Sequence, residues 1–178
     1  MLKYKFIEAL RRLMQMVFGL QLFTFPGLYT LRTWAYRLHF SIGPKPRIGY
    51  NVILHREHGC RRGSLRIGAD VLLSDNVKID YSGRVVIEDH VWLSEGVHIH
   101  THTHSLDAAE RVVRHGAESV SELLIAEGAW LGDGVKVLPG VSRIGRGSVI
   151  GAGSVVTRDI PDDVVAAGNP AKILHTLE

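Results

Sequence analysis

The sequence predicts a mainly β chain wound as a parallel β-helix, and three observations predict it. An aliphatic residue recurs at every sixth position, a turn-forming residue recurs three places after it, and one long interruption follows directly on a run of histidines. Internal repetition at a fixed short period is the mark of a solenoid, in which each unit buries its apolar side only by stacking on its neighbours.

Written from the aliphatic residue, the hexads are IGADVL from Ile67, LSDNVK from Leu73, IDYSGR from Ile79, IEDHVW from Ile87, LSEGVH from Leu93 and IHTHTH from Ile99. They resume as IAEGAW from Ile125, LGDGVK from Leu131, VLPGVS from Val137, IGRGSV from Ile144, IGAGSV from Ile150 and VTRDIP from Val156, making twelve hexads in four groups of three. The first slot holds only Ile, Leu or Val, as a position facing a dry interior requires. The fourth slot reads Asp70, Asn76, Ser82, His90, Gly96, His102, Gly128, Gly134, Gly140, Gly147, Gly153 and Asp159. Most of these tolerate the positive φ of a sharp turn, so a corner is expected every sixth residue. The fifth slot is small or β-branched nearly throughout and tucks inside that corner. Three flat segments and three corners make one triangular coil, and successive coils stack at roughly 4.8 Å.

Ahead of the repeats, residues 1–47 read as a basic, apolar helical arm. They carry eight basic side chains against the single acid Glu8, a surplus of +7, so with +3 on the whole chain the remainder carries −4. Phe6, Ile7, Leu10, Leu13, Met14 and Val17 fall on one helical face. Pro26 and Gly27 end that helix or start a second reaching about Phe40. Leu13 to Leu31 holds no charge, but Gln15, Gln21, Thr24 and the Pro-Gly pair argue against a bilayer span. The arm is expected to cap the open end of the β-helix or pack on a neighbouring chain, with membrane-surface contact through residues 1–40 as the alternative. The basic surplus is confined to this arm and no nucleic-acid module is present, so no nucleic-acid partner is expected. One cysteine, Cys60, excludes an internal disulfide framework and suits a reducing, cytoplasmic compartment, at the inner membrane face if the arm binds lipid.

Between Tyr50 and Ser64 the repeat looks irregular. His55, His58 and Cys60 match no tight metal motif, and a surface excursion is expected there. Thereafter the β-helix is assigned to residues 48–165, with a loop at 105–122, and residues 166–178 to a C-terminal tail.

The run HIHTHTHSLD from His98 to Asp107 is the chemical centre of the sequence. In a flat strand its alternate histidines would share one face. The repeat register instead puts His102 in a corner slot, which separates His104 from His98 and His100. His104 stands immediately before the excursion, and a long loop beside a reactive side chain is more often functional than accidental.

The hexad pattern, from about Ile48 to Leu177, resembles the hexapeptide-repeat family of left-handed β-helices, most of which are acyltransferases. The segments THSLDAAER from Thr103, AWLGDG from Ala129 and AAGNPAKIL from Ala166 resemble the maltose and galactoside O-acetyltransferase branch. That resemblance implies acetyl-CoA as acyl donor and His104 as general base. A neutral imidazole suits the task, because its unperturbed pKa lies near pH 6.5. Ser105 departs from the branch, which usually has proline there. The resemblance also implies a cofactor groove between adjacent chains, matched by Trp130, Gly132, Ala152, Thr157, Arg158 and Lys172. The branch's sugar-binding amide and carboxylate fall on Ser74 and Ser82, and neither polar group is retained; Asn76 and Asp80 are the nearby substitutes. A larger glycan acceptor, as in the exopolysaccharide-decorating branch, is therefore expected.

No covalent intermediate and no metal are required by this reading. The alternatives are a xenobiotic acetyltransferase and a γ-class carbonic anhydrase-like zinc enzyme, although the histidine spacing of the latter is not found. A triangular coil with a lateral face rich in histidine and tryptophan predicts a homotrimer with shared active sites.

Overall fold

The structure, a computed structural model, describes residues 2–25, 27–57, 63–105 and 118–178. The chain forms a left-handed parallel β-helix of three sheets, two of five strands and one of seven, with an antiparallel pair projecting from it. The register steps by one coil at each strand. Leu73 pairs with Leu93, Leu93 with Leu131 and Leu131 with Ile150. On the next face Ile79 pairs with Ile99, Ile99 with Val137 and Val137 with Val156.

The aliphatic slots stack into one interior column. Ile87, Leu93, Ile125, Leu131, Val137, Ile144, Ile150 and Val156 are all 0% exposed, and the fifth-slot residues Val71, Val77, Val91, Val97, Ala129 and Val135 join them. Ser148 and Ser154 occupy the same slot, and each satisfies its hydroxyl on a carbonyl three residues back, Gly145 and Gly151, at 2.6 Å. The corners follow from positive φ at Asp70, Asn76, His90, Gly96, Gly128, Gly134, Gly140, Gly147 and Gly153. Three of the expected corner residues, Ser82, His102 and Asp159, do not take that conformation.

The helix begins earlier than the repeat reading placed it. Ser41–Ile42 pairs with Arg66–Ile67, Arg47–Ile48 with Leu72–Leu73, and Ile53–His55 with Lys78–Asp80. An additional coil thus runs from Ile42 through Ile48 and Leu54, with corners at Lys45 and Asn51. Lysine at a corner slot hides this coil in the sequence, where the segment around Tyr50 reads as irregular. His58 and Cys60 lie outside the described residues. At the other end the strand Val164–Gly168 extends the seven-stranded sheet past residue 165 and folds back antiparallel on Ala171–Thr176.

The arm folds as α1 (Leu2–Phe18), a short 3-10 turn (Gln21–Thr24) and α2 (Tyr29–Arg37). The first helix ends at Phe18, and the second starts at Tyr29 just after Gly27, the other of the two readings the sequence allows; Pro26 is outside the described residues. The arm caps the open end of the β-helix. The Gln15 amide pairs with Leu54 as a strand would, donating to its carbonyl and accepting its N–H, both at 2.9 Å. Arg32, fully buried, donates to the carbonyls of Phe18, Leu20, Ile48 and Gly49. The Tyr36 hydroxyl donates to Val52 O at 2.7 Å. An open strand edge presents unpaired N–H and C=O groups, and these side chains cover it. Among the described residues no helix is long and apolar enough to cross a membrane.

Candidate active site

The histidine run divides where the chain leaves the coil. His98 and Ile99 lie in a β-helix strand, while His102–His104 runs out antiparallel to Glu118–Val120, pairing His102 with Val120 and His104 with Glu118. His102 is therefore a stem residue and not a corner. The excursion is rooted in this two-stranded stem; residues 106–117, including Asp107, Glu110, Arg111, Arg114 and His115, lie outside the described residues.

Asp80 explains why the corner is lost. Its carboxylate is fully buried and accepts from Ser82 N at 2.9 Å and Ser82 Oγ at 2.5 Å through Oδ1. Through Oδ2 it accepts from Thr101 N at 2.8 Å, His102 N at 3.0 Å and His102 Nδ1 at 2.7 Å. Two of the three hexads whose corners fail, those at Ser82 and His102, are thus tied to one carboxylate. Burial alone would push this carboxyl up; the hydrogen bonds from Ser82, His102 and Thr101 outweigh it and hold the group well below the usual carboxylate range.

His104 is exposed at the head of the stem, and its ring meets that of His102 edge-on with centroids 5.5 Å apart. His98 and His100 form a second edge-on pair at 6.2 Å. Burial lowers His55, His98 and His100 below the ordinary imidazole range, so these three are neutral at neutral pH. Among the described residues no three His, Cys, Asp or Glu side chains are arranged to hold a metal ion.

The other sequence-derived positions divide between faces. Thr157 and Arg158, both exposed, follow Val155–Val156 on the sheet that carries Asp80 and His98. Trp130 and Lys172 belong to the seven-stranded sheet instead. Trp130 is partly exposed, stacks on Trp92 at 5.5 Å and donates its indole N–H to Ser94 Oγ at 2.9 Å. Gly132 is small for a reason internal to the coil, since a Cβ there would lie 2.8 Å from Ala152 N. Ala152 itself is exposed at the following corner.

Of the acceptor-side residues, Ser74 lies on the seven-stranded side beside Trp92 and Ser94 in a shallow groove. Asn76 is a corner residue, its φ at 60°, accepting from Asn51 Nδ2 at 2.9 Å and donating to Glu95 Oε1 at 3.2 Å. Asp80 and Ser82 are buried and bonded to one another beneath the stem. Only Asp80, Ser82 and His104 therefore gather at the excursion. Sequence reasoning missed the bond from His102 to Asp80, which joins positions 22 residues apart. Its only trace is that Ser82 and His102, two non-glycine corner slots, occupy the same place in successive coils.

Known proteins share this architecture. A maltose O-acetyltransferase from Clostridium difficile superposes with a TM-score of 0.82 at 30% identity, covering 96% of this chain and 86% of its own. A hexapeptide-repeat-containing acetyltransferase of Vibrio cholerae, solved with acetyl coenzyme A, gives 0.76 at 30% identity over 97% of this chain and 89% of that one. The chain belongs to the hexapeptide-repeat acetyltransferases. In sequence, a galactoside O-acetyltransferase of Lactococcus lactis is 41% identical over 110 residues, 62% of this chain and 52% of its own length. The alignments span 64%, 52% and 44% of the first three curated relatives, so less than two thirds of each of those proteins is matched. No family model matches this acetyltransferase-family chain.

Proposed function

We propose that the protein is an acetyl-CoA-dependent O-acetyltransferase acting on a hydroxyl of a saccharide, with His104 as general base. The observation that carries this reading is an exposed histidine at the head of the stem, in the motif THSLDAAER, within a chain of this family. The His104 imidazole takes the hydroxyl proton as the oxygen attacks the thioester carbonyl carbon. Collapse of the tetrahedral species breaks the carbon–sulfur bond, and the departing thiolate receives the proton from His104. The products are an acetyl ester and free coenzyme A, with no covalent enzyme intermediate and no metal-dependent step.

Trp130, Gly132, Ala152, Thr157, Arg158 and Lys172 are the proposed donor contacts, with Arg158 and Lys172 meeting phosphates. Their division between two sheets favours a groove completed by a second copy, as in a homotrimer, since one face of each of two chains would supply the full set. The acceptor is proposed to be a larger glycan of the exopolysaccharide type, because neither Ser74 nor Ser82 supplies the amide or carboxylate of the free-sugar enzymes. The proposed location is the cytoplasmic side of a membrane carrying anionic lipid. The arm's +7 surplus and its outward Phe6, Leu10, Leu13 and Met16 match that surface in charge and apolarity.

The test is release of free thiol from acetyl-CoA against a panel of glycans and antibiotics. Turnover with a hydroxyl-bearing saccharide supports the reading. Turnover confined to an antibiotic would make the protein a xenobiotic acetyltransferase instead, and no thiol release with any acceptor would overturn it.

A further inference from the structure

The bond between Asp80 and His102 fixes something that the fold alone does not need. Asp80 already orders the start of the stem through the N–H groups of Thr101 and His102. The further contact to the imidazole, 2.7 Å from Oδ2 to Nδ1, orients a side chain that remains one fifth exposed beside the base. An ionised carboxylate only accepts, so Nδ1 must be the donor and carry a proton. In the neutral ring Nε2 is then a bare acceptor whose direction is set by the buried anchor.

Such a nitrogen discriminates among the groups that meet in the site. The thioester carbonyl and the phosphates of coenzyme A are themselves acceptors and offer it nothing. A hydroxyl is a donor and fits. The edge-on rings of His102 and His104 set two imidazoles side by side at 5.5 Å on one face of the stem, close enough to engage neighbouring hydroxyls of one sugar.

We propose that His102, held by Asp80, is a specificity-determining residue: its Nε2 accepts a hydrogen bond from a second hydroxyl of the saccharide while His104 acts on the first. This rests on the acetyl-transfer reading above and narrows its acceptors to polyols with hydroxyls on adjacent positions. Neither His102 nor Asp80 takes the transferred proton; they orient the acceptor.

The experiment uses the full chain with methyl β-galactoside, maltose and their monodeoxy analogues as acceptors. Imidazole 15N spectra recorded at a pH where the ring is neutral should show His102 protonated at Nδ1 and bare at Nε2, with Asp80→Asn moving the proton toward Nε2. His102→Leu should raise the saccharide KM about tenfold, the worth of one hydrogen bond, with a smaller change in kcat. His102→Gln, whose amide oxygen accepts, should restore part of it. The monodeoxy acceptor should be penalised by the wild type and not by His102→Leu. A protonated Nε2 in the wild type overturns the inference, as does a His102→Leu variant whose kcat and thermal midpoint fall while KM holds. Saccharide transfer indifferent to His102 refutes this inference alone, whereas a wild type that acetylates neither these saccharides nor any glycan of the thiol-release panel refutes the transfer reading and this with it.

Discussion

In the coils an aliphatic side chain finds its partners within its own chain, whereas on the outer side of the arm it does not. Leu93 and Ile125 are 0% exposed, while Phe6 is 69% and Leu13 51% exposed. The arm's inner side is complete in a different way, closing strand edges with Gln15, Arg32 and Tyr36 and burying Phe40 against Tyr81. The difference teaches that the coils bury their aliphatic residues within the chain, and that the arm is a cap whose outer apolar side the chain itself leaves uncovered.

The first way to sharpen that comparison lies at the stem, which leaves the coils after Thr101. His104→Ala should lose roughly 10²- to 10⁴-fold in turnover, the usual worth of a positioned base, with its thermal midpoint unchanged because the side chain is exposed. Full turnover in this variant, read as free thiol, would remove His104 from the mechanism.

Next come paired truncations that set coil against arm. Leu93→Ala empties a fully buried position and should cost about 2–5 kcal/mol in denaturant unfolding, whereas Leu13→Ala should stay within about 0.5 kcal/mol. Equal losses would mean that the arm's outer face is covered by another copy in solution.

How much of this was legible in the sequence follows the same division. The six-residue period is a direct consequence of coil geometry, so the inward Ile87, Leu131 and Val156 and the glycine corners could be read off residue by residue. The coil from Ile42 escaped because Lys45, a residue type that seldom takes positive φ, fills a corner slot of that coil. His102 was placed in a corner because the count continues through it, while a buried carboxylate one coil away decides otherwise. No local rule links Asp80 to His102 or Arg32 to the Ile48 carbonyl, since those contacts exist only once the chain is wound.

A smaller effect tests the Asp80 anchor. Asp80→Asn keeps the shape but loses the charge, and should destabilise the protein by about 1.5–3 kcal/mol at neutral pH. Because folding depresses this carboxyl, its contribution is complete above the unfolded value near pH 3.9 and is lost as the pH falls toward the folded one. The gap between wild type and variant should therefore narrow below about pH 4. A gap that is constant from pH 7 to pH 3 would mean that the charge carries none of the effect.

The smallest expected effect belongs to the outer face of the arm. A basic residue close to an anionic leaflet contributes about 1 kcal/mol, fading within a Debye length of about 8 Å at physiological salt. With two of the arm's eight basic residues engaged, the attraction is on the order of 2 kcal/mol, and burial of the apolar face adds to it. Deleting the arm would be a poor test, since it would also strip Gln15, Arg32 and Tyr36 from the strand edges that they close. Phe6→Gln with Leu13→Gln alters only exposed positions and leaves that cap in place. Flotation with phosphatidylserine-containing vesicles should recover part of the wild type at low salt, less at high salt, and little of the double variant. Equal recovery of both proteins would assign the attraction to charge alone, and no recovery of either at low salt would leave the arm a cap with no membrane role.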